Sequence, residues 1–223
     1  MELGLRGKAA IVTGGSRGIG KAVARTLLSE GCAVTICARN GERLEGAVRD
    51  LTKVGPRVLG IPTDVTDERA VHALVDRALV VFDRIDILVN NAGTHLRGTV
   101  ESTTIAILEQ QLRDKVFGFF AMIQAVLPIM KRQRDGRIVN IVGQAGRHPH
   151  PDRFPSGVTN AAVMAMTKSV ADAVARDTHN ISRLSCSPFS SPRRCVSGAS
   201  IARPLPEASR VPIRWDGQER RKR

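Results

Sequence analysis

The sequence predicts an α/β fold, a doubly wound parallel sheet with helices on both faces. Two observations predict it. Short apolar runs alternate with amphipathic segments over the first 177 residues, and a glycine-rich turn joins the first run to the first helix. Right-handed crossovers then place ligands at the carboxyl ends of the strands, as in a Rossmann-type sheet.

The elements follow in order. Ala9 to Val12 is the first strand. Ile19, Ala22, Val23 and Leu27 recur at helical spacing, and Gly31 can cap that helix. Ala33 to Cys37 is the second strand. Leu44, Ala47, Val48 and Leu51 form an amphipathic face, with Gly55 just beyond it. Val58 to Ile61 is the third strand. Val71, Leu74, Val75, Ala78 and Phe82 mark a third helix, opened by Asp67 and Glu68 at its positive end. Ile85 to Val89 is the fourth strand. Leu108, Leu112, Val116 and Phe120 step along a long fourth helix that ends near Met130. Arg137 to Val142 is the fifth strand, and a helix spans Ala161 to Val174.

The pattern stops near Asp177. Residues 178–223 hold eight serines and five prolines, with ten basic and three acidic side chains. The expected organisation is a dinucleotide-binding domain over 1–177 and an irregular basic tail over 178–223, with the sheet truncated after the fifth strand and its following helix. The change in composition fits a shifted reading frame or a divergent end.

A chain of 223 residues suits one α/β domain, and 42% hydrophobic with 25% charged residues is ordinary for a globular protein. The net charge is +13. A basic tail can attract nucleic acid or an anionic surface, but it contains no nucleic-acid-binding module, so neither nucleic acid nor membrane is expected as a partner. No signal peptide and no apolar run of membrane-spanning length is seen. Cys32 and Cys37 read as buried strand residues, and Cys186 and Cys195 show no paired spacing. A reduced, cytoplasmic setting is expected.

Thr13-Gly14-Gly15-Ser16-Arg17-Gly18-Ile19-Gly20 lies between a clear strand and a clear helix. Its glycines permit a tight turn and close approach to a pyrophosphate, and the helix N-terminus supplies N–H donors. This loop resembles the cofactor loop of the short-chain dehydrogenase/reductase family. Asn90-Asn91-Ala92-Gly93, after the fourth strand, resembles that family's second signature, and Asp64-Val65 resembles its adenine contact. The resemblance covers about Leu5 to Asp177. It implies a nicotinamide cofactor held by Gly14, Ser16, Arg17, Gly18, Ile19, Gly20, Arg39, Asp64, Val65, Asn90, Ala92 and Gly93. Relatives that prefer NAD place a carboxylate at the end of the second strand. Here Ala38 stands there, followed by Arg39, and Arg17 can reach the same region. Two cations and no acid predict NADPH.

The resemblance also implies a tyrosine acid/base, a lysine, a serine and an asparagine. This sequence has no tyrosine. Gly143 falls at the serine position, Ser156 at the tyrosine, Asn160 at the lysine and Lys115 at the asparagine. His148, His150 and Asp152, on the loop after the fifth strand, and His95 are candidate substitutes. The His148-Pro149-His150 spacing could bind a metal, but no further ligand is convincing, and no metal site is assigned.

The family implies an NADP-dependent oxidoreductase that transfers hydride between NADPH and a carbonyl or alcohol, with an unspecified small-molecule substrate. The missing tyrosine keeps two other readings open: a catalytically inactive NADPH-binding protein, and a non-functional frameshifted product. The long fourth helix and the Ala161–Val174 helix offer a surface for a homo-oligomer.

Overall fold

The structure, a computed structural model, describes residues 3–177 and the strand 184–189. Its sheet is parallel with strand order β3-β2-β1-β4-β5-β6. The strands are β1 (Ala9–Thr13), β2 (Ala33–Ala38), β3 (Val58–Pro62), β4 (Ile87–Asn90), β5 (Arg137–Gly143) and β6 (Leu184–Phe189). The helices are α1 (Gly18–Ser29), α2 (Gly41–Thr52), α3 (Glu68–Phe82), α4 (Ile105–Gln111), α5 (Gly118–Gln133) and α6 (Phe154–Asp177). This is the doubly wound architecture that the alternating pattern predicts. The order reverses between β1 and β4, so the crevice for a ligand opens at Thr13-Gly14 and Asn90-Asn91.

Burial explains the apolar strand runs. β1 and β4 are buried along their whole length because helices cover both faces. Val12, Val34, Ile36, Leu44, Leu51 and Ala24 fill one side, with α1 and α2. Leu74, Leu88, Met122, Ile123, Val126 and Ile138 fill the other, with α3 and α5. Val174 and the flanking Met166 and Val170 of α6 join this second cluster.

Three differences from the sequence reading affect the site. The long fourth helix is two helices joined by a π-helical turn, Leu112–Phe117. α6 begins at Phe154 rather than Ala161: its first turns bury the polar Ser156, Thr159 and Asn160 and expose Phe154 and Val158, so they carry no apolar stripe to mark a helix. The sheet does not end at β5: β6 pairs with it from Ile138↔Leu184 to Gly143↔Phe189. Parallel pairing uses backbone groups, and β6 is outermost in the order, so Pro188 removes a donor without breaking a second ladder. The tail predicted for 178–223 otherwise lies outside the described residues. Among the described residues, no helix is long and apolar enough to cross a membrane.

Candidate active site

Two adjoining cavities open along the carboxyl ends of the strands. The first, about 490 Å³, is lined by Gly14, Ser16, Arg17, Gly18, Ile19, Arg39, Asp64, Val65, Ala92 and Gly93, ten of the twelve residues expected to hold a cofactor. Glycine geometry shapes its floor. Gly14 has φ +65 and Gly18 φ +54, a region that L side chains rarely adopt. A Cβ on Gly20 would lie 2.4 Å from the Gly14 carbonyl oxygen, so only glycine lets α1 close onto the loop. Arg17 precedes the helix and makes no capping contact with its side chain. The first-turn N–H groups, which have no intrahelical partners, open at this end.

The remaining two of the twelve are placed differently. Gly20 shapes the loop from beneath. Asn90 is buried, and its amide donates to Asn140 Oδ1 at 3.0 Å and to the Phe119 carbonyl at 3.4 Å. Its neighbour Asn91 lines the cavity and donates Nδ2 to the carbonyls of Thr13 and Gly14 at 3.0 and 3.2 Å. Thr13 Oγ1 accepts from the Asn91 and Ala92 N–H groups at 2.9 and 3.0 Å, tying the two signature loops together. The sequence reading assigned Asn90 and not Asn91 to the cofactor; alternation along the strand end decides which of the two faces out, and it turns Asn91 to the cavity.

The donor set suits a dinucleotide. Arg17, Arg39 and Arg43 line the cavity, all exposed. Arg43 was missed by sequence reading because it lies one helical turn beyond the strand end, although the basic pair Arg39 and Arg43 at four-residue spacing is a visible signal. Of the two lining carboxylates, Asp64 accepts from Thr66 N–H and hydroxyl at 3.0 and 2.9 Å. Asp114 accepts from Thr94 and Gln110 at 2.8 and 2.7 Å. Both are therefore held by local polar groups.

The second cavity, about 440 Å³, shares Ile19, Asn91 and Gly93 with the first and is also lined by His95, Arg97, Lys115, Gly143, Arg153, Ser156 and Asn160. Lys115, Gly143, Ser156 and Asn160, the four residues that the resemblance lays on catalytic positions, therefore meet here, and they are bonded to one another. Asn160 Oδ1 accepts from Lys115 Nζ at 2.7 Å and from the Gly143 N–H at 2.8 Å. Asn160 Nδ2 donates to the Ser156 carbonyl at 2.7 Å. Ser156 Oγ lies 2.8 Å from His95 Nδ1. A Cβ at position 143 would come within 3.0 Å of Asn160 Nδ2, so glycine there matches asparagine at 160.

The π turn carries Lys115 to this wall, a placement frequent for such turns at functional sites. The loop bearing His95 is pinned to the segment before α6 by a bridge between Gly98 and Arg153, with Gly98 N–H on the Asp152 carbonyl and Phe154 N–H on the Gly98 carbonyl, both 2.9 Å. Partial burial and the cations Arg153, Arg97 and Lys115 push the His95 imidazole below its usual pKa. The other histidine candidates lie elsewhere. His150 pairs with Asp152 and lines a separate apolar groove with Pro149, Phe154 and Val158. His148 does not line the second cavity. Among the described residues, no group of three or more His, Cys, Asp or Glu side chains is placed to hold a metal ion.

The sequence profile described as short chain dehydrogenase matches residues 8–194. The chain belongs to this family. A dehydrogenase/reductase SDR family protein 7-like of Anopheles gambiae is 32% identical over 186 residues, 81% of this chain and 59% of that protein. This chain thus spans about six tenths of that relative's length. A 3-oxoacyl-[acyl-carrier-protein] reductase of Aquifex aeolicus is 34% identical over 176 residues, 78% of this chain and 71% of that protein. An NAD+-bound xylitol dehydrogenase superposes with a TM-score of 0.78 at 33% identity, covering 82% of this chain and 69% of that one. This short-chain dehydrogenase family member therefore has the fold of a nicotinamide-dependent oxidoreductase.

Proposed function

We propose that this family member binds NADP(H) in the first cavity and transfers hydride between it and a carbonyl or alcohol substrate in the second. When bound, the nicotinamide supplies or accepts the hydride. The observation that carries the cofactor choice is the triad Arg17, Arg39 and Arg43 at a β2 end that carries Ala38 and no acid. A guanidinium pairs with a ribose 2′-phosphate, which a carboxylate would repel. The N-terminus of α1 receives the pyrophosphate, and Asp64 and Val65 flank the adenine. Fluorescence titration with NADPH and NADH tests this. NADPH is expected to bind more tightly, and Arg39→Ala to reduce the preference by at least about tenfold, since a charge-assisted bond contributes about 1.5–3 kcal/mol. Equal affinities in the parent protein overturn the NADP assignment.

The absence of tyrosine and the uncharged Asn160 favour a second reading, an NADPH-binding protein without turnover. Oxidation of NADPH across a panel of aldehydes and ketones, and reduction of NADP+ with the matching alcohols, separates the two. The substrate, a cytoplasmic location and pairing of two copies through α4, α5 and α6 remain proposals of the same reading, and size-exclusion chromatography with light scattering tests the last.

A further inference from the structure

We propose that Ser156 and His95 form the proton relay of this site, with the Ser156 hydroxyl facing the substrate oxygen and His95 as its proton partner. This rests on the reading of the first cavity as a cofactor site. The two side chains come from segments far apart in sequence, the loop after β4 and the first turn of α6. They meet at 2.8 Å on the wall of the cavity that also exposes Gly93 and Ile19. The Gly98–Arg153 bridge holds the two segments in register. A serine hydroxyl alone is a poor acid or base near neutral pH, and a neighbouring imidazole supplies what it lacks.

The step balances in both directions. In alcohol oxidation the substrate O–H proton passes to Ser156 Oγ as the Ser156 proton passes to His95 Nδ1. The carbinol C–H bond breaks as the oxygen electron pair forms the carbonyl, and an oxidised nicotinamide held in the first cavity would take the hydride. In reduction the same proton path runs backwards from a protonated His95. Lys115, on the same wall, provides positive charge for the oxygen while it is alkoxide-like.

The charges around His95 bear on which of its forms meets Ser156. Arg97 lies on its own loop, Lys115 on the π turn and Arg153 ahead of α6, and all three disfavour the imidazolium. Two carboxylates oppose them. Asp152 contacts Arg97 at 4.0 Å and Arg153 at 3.8 Å, and Asp114 bonds Thr94 next to His95 in sequence. With partial burial, the balance holds the imidazole below its ordinary pKa and so favours the neutral form, which accepts a proton.

The test uses the full chain with NADP+ and three alcohols as probes: cyclohexanol, 1-phenylethanol and 3-hydroxybutyrate. NADPH fluorescence titration and the ring-proton NMR titration of His95 are measured in parallel. Expected are a His95 pKa below the ordinary histidine value, its displacement in Ser156→Ala, and NADP+ reduction that rises with pH through that titration. Ser156→Ala and His95→Gln each reduce turnover by about 10²-fold or more, with NADPH affinity within about twofold of the parent. Turnover insensitive to both substitutions overturns the relay, as does NADPH binding with no turnover on any probe. Failure to bind NADPH instead overturns the cofactor reading, and the relay falls with it. Ser156→Ala removes one oxygen from a buried site, and circular dichroism checks its fold. His95→Gln, on an exposed loop, reports independently.

Discussion

At the scale of single residues, function here depends on which atom occupies a few ångströms of space. Gly20 is the sharpest case. An alanine Cβ there would stand 2.4 Å from the Gly14 carbonyl oxygen, a backbone atom that cannot rotate aside, and 2.6 Å from Asn91 Nδ2. Gly20→Ala must therefore push α1 away from the loop. Overpacking of this kind costs about 1–3 kcal/mol, and it displaces the N–H groups proposed to meet the pyrophosphate. A lower melting temperature and at least about tenfold weaker NADPH binding are expected, and a variant with parental values for both would show that the loop yields freely. The sequence made the glycine loop legible because strand, glycines and helix stand in unbroken order. It led to Asn90 where Asn91 lines the cavity, and did not bring His95 to Ser156, because both outcomes depend on contacts between segments far apart in the chain.

At the scale of elements, buried polar side chains hold the sheet to its helices beside the site. Asn90 on β4 donates to Asn140 on β5, and Asn140 Nδ2 donates to Thr167 on α6 at 2.9 Å. Thr167 Oγ1 in turn donates to the Val163 carbonyl at 2.6 Å. This chain fixes α6, and with it Ser156 and Asn160, relative to the strand that leads into Asn91. Asn140→Ala removes the acceptor from one amide and the donor to one hydroxyl in a dry interior. A loss of about 1–3 kcal/mol is expected in denaturant unfolding, from leaving a buried group unpaired. Less than about 0.5 kcal/mol would mean that the neighbours find other partners. Apolar runs and helical spacing revealed five strands because a parallel sheet buried on both faces leaves that mark. The sixth strand, Leu-Ser-Cys-Ser-Pro-Phe, carries no such mark, since its pairing with β5 rests on backbone groups. The π turn was equally hidden: Leu108, Leu112, Val116 and Phe120 step evenly in the sequence, yet the wider turn rotates the helix so that Phe119 and Met122 are buried and Phe120 is exposed.

For the whole molecule, pH is expected to weaken the fold from both sides through groups in and beside the sheet. Asp86 is buried at the amino end of β4. Burial raises its pKa, but the Arg84 guanidinium, the Ala9 N–H and Lys8 outweigh that and hold it below the usual carboxylate range. Asp135 is lowered by Lys8, which bonds it at 2.7 Å. A carboxylate depressed in the folded state contributes stability that is present above its unfolded pKa, about 3.9, and lost as pH falls through the folded value. Acid unfolding is thus expected below about pH 4. On the alkaline side Cys37, fully enclosed in β2, has its thiol pushed by burial from 9.0 up to about 12. Between those values the folded chain keeps a proton that the unfolded chain releases, so stability falls as pH rises through that window. Lys8, raised by Asp135, adds to the same alkaline loss above about pH 10.5. The Cys37 contribution approaches about 4 kcal/mol at its limit, at about 1.4 kcal/mol per pH unit. Cys37→Ala removes this titration and also a buried sulfur, so the variant should be less stable than the parent at pH 7 by about 1–2 kcal/mol. The gap should narrow steadily from pH 9 to pH 10.5 in urea unfolding. A gap constant from pH 7 to pH 10.5 would mean that the thiol ionises in the folded chain as readily as in the unfolded one, and that β2 is open to water at Cys37.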